Sequence, residues 1–139
     1  MNKALLATLA LGAAVAFASP ASAEKLKATL DGKSEVPATT TSGTGTADID
    51  YDAATKKLSW KVSYSGLTGP ATAAHFHGPA EVGKNAGVMV PIPGIATSPV
   101  EGSATLTDAQ ASDLQAGKLY VNIHTAANPG GEIRGQVTK

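Results

Sequence analysis

Apolar and polar residues alternate one for one along most of this chain. In residues 25–31, Leu26, Ala28 and Leu30 are separated by Lys27 and Thr29. In residues 46–52, Ala47, Ile49 and Tyr51 alternate with Asp48 and Asp50, and in residues 58–66 Leu58, Trp60, Val62 and Tyr64 alternate with Ser59, Lys61 and Ser63. The same period of two runs through residues 72–77, from Val100 to Leu106, through Val121 and Ile123, and again at Ile133 and Val137. Successive side chains of a strand point to opposite faces, so each run predicts a strand with one face on a core. Turn-forming stretches separate the runs: DAATKK, GLTGP, GKNAG and NPGG. About eight short strands of this kind predict an all-β fold, an antiparallel β-sandwich or flattened barrel. Trp60, Phe76, Leu58, Val62, Val121 and Ile123 are expected in one core between two sheets. The polar stretch SEVPATTTSGTG is expected to be a loop leading into the second strand.

One segment departs from the pattern. In TLTDAQASDLQAGK, Thr107 stands three residues before Gln110, the spacing of a capping box. Gly117 stands where a helix end favours a left-handed residue. A single short helix is predicted over residues 108–115, fastened by Leu106, Ala109 and Leu114.

The N-terminus has a different composition. Lys3 precedes an apolar run from Ala4 to Ala18, and Ala21-Ser22-Ala23 fits a small-x-small cleavage site. The run is shorter than the roughly 20 residues needed to span a bilayer. Residues 1–23 therefore read as a secretory signal and 24–139 as one domain, with no transmembrane segment after cleavage. The location expected is periplasmic or secreted. The chain has 11 basic and 11 acidic residues. A near-neutral balance gives no reason to expect nucleic acid or an anionic membrane as partner. The absence of cysteine excludes disulfides and a thiolate-ligated blue-copper centre. No Gly-x-Ser-x-Gly elbow, Gly-x-Gly-x-x-Gly or Walker pattern is present. Asp48 and Asp50 share a strand face without an acidic loop and are expected to be solvated. Glu132 and Arg134, two apart on one face, are expected to form an ion pair.

The chemistry concentrates in three histidines. Phe76 is apolar, so in AAHFHGPA it faces the core, and His75 and His77 must face the other way together. Val121 and Ile123 likewise send Tyr120, Asn122 and His124 outward. A simple hairpin register opposes His124 to Glu132, Asn122 to Arg134 and Tyr120 to Gln136. Glu132 would then stand beside the His124 ring and fix its tautomer. Three imidazoles without a thiolate suit copper or zinc, and His-x-His on a strand offers two ligands on one face. The competing reading is that these histidines are polar residues bracing loops on a solvated face. Met89, in GVMVPI, is expected at an edge rather than as a fourth ligand.

Two blocks, AAHFHGPA and LTDAQASDLQAGKLYVNIHTAANPGGEIRGQV, closely resemble the CHRD domain, named from chordin, with similarity running from about Leu26 to Val137. The resemblance implies an immunoglobulin-like or dismutase-like β-sandwich in a bacterial, exported, single-domain protein. It implies no assigned reaction. In chordin such domains belong to an extracellular antagonist of secreted growth factors. YSGLTGPATAAHFHGPA is also similar to the stretch of copper/zinc superoxide dismutase whose His-x-His pair binds copper on the outside of a β-barrel. The dismutase site needs more histidines, a zinc loop and a disulfide, none of which this chain has. The expected role is a non-enzymatic binding or interaction domain, whose partner is an unknown protein or a metal ion. Copper is preferred over zinc, held by His75, His77 and His124 with Glu132 behind them. The alternatives are redox, dismutase-like catalysis at the same histidines and a purely structural envelope protein.

Overall fold

A computed structural model describes Gly12 and residues 23–139 of the chain, so the leader expected over residues 1–23 lies outside the description except for Gly12 and Ala23. The strands are β1 (Glu24–Asp31), β2 (Thr44–Asp52), β3 (Lys57–Ser65), β4 (Ala71–His77), β5 (Val88–Pro91), β6 (Val100–Thr105), β7 (Tyr120–Thr125) and β8 (Ile133–Gln136). They form one eight-stranded sheet in the order β5-β4-β7-β8-β1-β2-β3-β6, antiparallel throughout. The predicted alternation is realised: in β2 the odd-numbered residues Gly45 to Tyr51 are buried and their neighbours are not. In β7 nearly every residue is buried on both faces, and β5 shows no alternation. β5 has four residues, ends on Pro91 and lies at the sheet edge, the place where a strand tolerates proline.

The sheet curls on itself. Trp60 on β3 and Phe76 on β4 are far apart in the strand order, yet their rings meet with centroids 5.3 Å apart. The halves β6-β3-β2-β1 and β5-β4-β7-β8 thus face each other across a core containing all six residues expected there. This is the sandwich-like, nearly closed barrel the alternation implies. The halves join at a thin seam, where β1 meets β8 at Asp31–Arg134 and reciprocal 2.8 Å backbone bonds link Lys27 and Thr138. Gly135 permits this approach, because a Cβ there would overlap the Thr29 carbonyl.

The helix α1 spans Asp108–Gln115 with Thr107 as N-cap, and both bonds of the capping box are present. Gly117 takes φ 74° just beyond it. Leu106 and Leu114 are buried as expected. Ala109 is exposed, and Ala111 packs on the core in its place. Its position is the fourth of the helix, the one a residue before the N-cap can reach.

Candidate metal centre

Strand parity decides which side chains leave the core. On β4, Ala74 and Phe76 are buried inward, so His75 and His77 project from the other face. β7 lies beside β4, with His75 opposite Asn122, His77 opposite Tyr120 and Ala73 opposite His124. That pairing brings the three histidines into one cluster. The expected β7–β8 register also holds, with Tyr120 opposite Gln136 and Asn122 opposite Arg134.

Outward does not mean solvated here. Tyr120, Asn122 and Arg134 are buried, His77 is only 7 % exposed, and His75 and His124 are half-buried. The cover consists of two loops, residues 32–43 and 78–87, stitched to the sheet and to each other. Arg134 donates to the Lys84 carbonyl at 3.1 Å and to Asn85 Oδ1 at 2.6 Å. Asn85 in turn donates to the Val36 carbonyl at 3.1 Å. Glu35, from the first loop, pairs with Arg134 at 3.1 Å.

The ligand atoms of His75, His77 and His124 all lie within 4.8 Å of one another. His75 Nδ1 and His124 Nε2 are 3.2 Å apart. Nitrogens bound to one ion at about 2.0–2.1 Å sit roughly 3–4 Å apart, so side-chain adjustments on the order of 1 Å close the set. Two rings are oriented by backbone carbonyls. His77 Nδ1 lies 3.0 Å from Ala86 O, and His124 Nδ1 lies 2.8 Å from Pro129 O. A carbonyl only accepts, so in the neutral ring each Nδ1 carries the proton and each Nε2 the lone pair. His77 Nε2 is buried and has no hydrogen-bond partner among the described residues. A cation supplies what that lone pair lacks, and the donor set fits one.

The site's electrostatics favour the neutral forms of His75 and His77. Burial lowers the pKa of His75, and the neighbouring His124 and His77 lower it further. Burial also lowers that of His77, outweighing the Ala86 carbonyl and Asn122, which favour its protonated form. The Glu35 carboxylate is paired with Arg134. Burial raises the pKa of Glu35, and Arg134 opposes that rise.

Two expectations require correction. Glu132 does not stand beside His124. Its carboxylate is fully buried and accepts from Thr68 Oγ1, from Thr68 N at 3.0 Å, Thr41 at 3.0 Å, Thr125 at 2.8 Å and Asn128 at 3.1 Å. Burial alone would raise its pKa, but these donors hold it at about 2. Glu132 precedes β8, so strand alternation no longer fixes its direction. Nor does Glu132 pair with Arg134, whose carboxylate partner is Glu35. Met89 packs against the core from β5, consistent with an edge position.

Sequence reasoning did not single out the aromatic and polar layer behind His77. The Tyr120 ring is stacked on His77, with centroids 4.9 Å apart and planes 3° from parallel. The Arg134 guanidinium lies 4.0 Å from the Tyr120 centroid. Tyr120 was legible only as an outward residue of β7. Glu35 lay in a segment read as a polar loop.

A family model described as the CHRD domain matches residues 26–137. No curated protein and no solved structure matches the chain.

Proposed function

The chain belongs to the CHRD domain family, and from that premise we propose that it is an exported binding domain that holds one copper ion on His75, His77 and His124. One observation carries the metal reading: carbonyl-fixed Nδ1 protons leave Nε2 lone pairs on His77 and His124, one of them buried and unpartnered, inside a cluster of three imidazoles. Glu35 Oε1 and Asn122 Oδ1 in the same layer are also unpartnered, so the orphan points to a cation only because three imidazoles gather around it. Copper is preferred because the cluster is imidazole alone, with no carboxylate or thiolate in it, and copper stands above zinc in affinity for such nitrogen sites. Export is supported by the Lys3, Ala4–Ala18 and Ala21-Ser22-Ala23 pattern and by β1 beginning directly afterwards at Glu24.

Calorimetry with copper and with zinc on the purified protein and on His124→Ala tests this. One ion bound per chain by the wild type is expected, with at least tenfold loss in the variant. Equal weak binding by both proteins leaves only the bracing role. His75 and His124 are half-buried rather than enclosed, so a bound ion stays within reach of small solutes. Turnover of superoxide or peroxide by the copper-loaded protein separates a redox enzyme from a binding domain. The mass of the protein recovered from the cell envelope tests cleavage after Ala23.

A further inference from the structure

We infer that Arg134 is a positioning residue for the metal ligand His77, acting through Tyr120 and through the backbone of residues 84–86. The inference rests on the metal reading above and names the device that keeps one ligand aimed. Arg134 reaches His77 by two routes. The first is the ring column: the guanidinium lies over Tyr120, and Tyr120 is stacked nearly parallel on His77. These three groups come from the neighbouring strands β8, β7 and β4. The second is the loop. Arg134 donates to Lys84 O and to Asn85 Oδ1, which holds the segment whose Ala86 carbonyl meets His77 Nδ1. Tyr120 closes the triangle, its hydroxyl accepting from Ala86 N at 3.0 Å and donating to Ala86 O at 3.1 Å. The ring plane and the tautomer of His77 therefore share one support.

The support is itself locked. Arg134 Nε and Nη2 both contact Glu35 Oε2, at 3.2 and 3.1 Å, and both side chains are almost fully buried. Gly131, at φ 125°, leaves room for that carboxylate, since a Cβ there would overlap Glu35 Oε1 and lie 2.6 Å from Asn122 Nδ2. A lysine keeps the charge of Arg134 but cannot cover the ring and reach the Glu35 carboxylate and two loop acceptors together.

The test compares the wild type with Arg134→Lys and Tyr120→Phe by competitive copper(II) titration and by the electron paramagnetic resonance spectrum of each copper-saturated protein. Arg134→Lys is expected to lose tenfold to a hundredfold in affinity, the range for residues that orient a ligand, and to show altered copper hyperfine splitting. Tyr120→Phe keeps the stacked ring and loses the Ala86 contacts; it is expected to show a smaller loss and a shift in the same direction. A residue that served stability alone would lower the melting temperature and leave the saturated spectrum unchanged. Wild-type affinity and spectrum in both variants overturn the inference while the metal reading stands. If Arg134→Lys does not fold, Tyr120→Phe decides by the same criteria. A wild type that binds no copper overturns both.

Discussion

The two faces of β4, β7 and β8 are built from the same strands with the same alternation, and both are largely withdrawn from water, but they are held in opposite ways. Inward, Ala74, Phe76, Val121, Ile123 and Ile133 join one apolar cluster whose members need only volume and shape. Outward, His77, Tyr120, Asn122 and Arg134 are just as buried, beneath two loops, and each requires a particular partner. Apolar packing is forgiving, because dispersion and transfer energies scale with area and do not depend on direction. A buried polar layer is unforgiving, because a group that loses its partner bears the full desolvation cost. The proposed metal site draws on this asymmetry. A domain needing only stability could fill the outer face with apolar side chains; this one retains ionisable groups and leaves His77 Nε2 unmatched.

The largest effect is expected where the outer layer carries charge. Arg134→Leu leaves Glu35 buried and uncompensated and should cost about 3–5 kcal/mol by urea denaturation. Glu35→Met combined with Arg134→Leu should recover most of that loss, since replacing both members of a buried pair is often neutral. A near-neutral Arg134→Leu would erase the distinction between the faces. Next comes acid. Glu132 has a folded pKa of about 2 against an ordinary 4.5. A depressed carboxylate stabilises the fold above its unfolded pKa, and that stability is lost as pH falls from about 5 toward 2. The difference corresponds to on the order of 3 kcal/mol, because one pKa unit is about 1.4 kcal/mol. Glu132→Gln should flatten the acid limb of a stability-against-pH curve; an unchanged limb would mean that the threonine donors do not hold the carboxylate as described.

The contrast also explains what the sequence made legible. Burial by the hydrophobic effect belongs to each residue singly, so alternation sufficed to place Trp60, Phe76 and Ile123 inside and His75 and His77 outside. The capping box around Thr107 is likewise local, and the helix bounds follow from it. Partnership is not local. Glu35 meets Arg134 across 99 positions, and nothing in SEVPATTTSGTG distinguishes a carboxylate that will be ion-paired from one that will be solvated. The histidines converge only because β4 lies next to β7, which alternation does not specify. Glu132 was misplaced because the parity argument was carried one residue before the start of β8, where the chain has not yet entered strand geometry.

A smaller effect is expected on the apolar face. Ile123→Val removes one methylene from a fully buried site in β7 and should cost about 0.5–1.5 kcal/mol. Its outward neighbour Asn122 keeps the same backbone, so copper affinity should be unchanged within twofold. A loss of affinity rivalling that of Arg134→Lys would show that the faces are mechanically coupled through β7, and the comparison would have to be drawn between strands instead.

The smallest effect on stability is expected from the histidines of the proposed metal site, and its sign is fixed by their surroundings. His75 and His77 titrate below the ordinary 6.5 in the folded chain, chiefly through burial. The unfolded chain therefore takes up protons first as pH falls. Stability from these rings is present in full above the unfolded pKa of about 6.5 and is lost as pH drops through the folded values, the reverse of a histidine gaining an acidic partner. His75→Asn should reduce the slope of melting temperature against pH between about 7 and 5 and leave the pH 8 value nearly unchanged, because a half-buried ring contributes little packing. Copper bound as proposed would add to the same slope, since protons compete with it for the same nitrogens. A melting curve that rises on acidification in this window would mean that His75 and His77 are held protonated in the fold. The Nε2 of His77 would then carry a proton, and the acceptor left over for a cation would not exist.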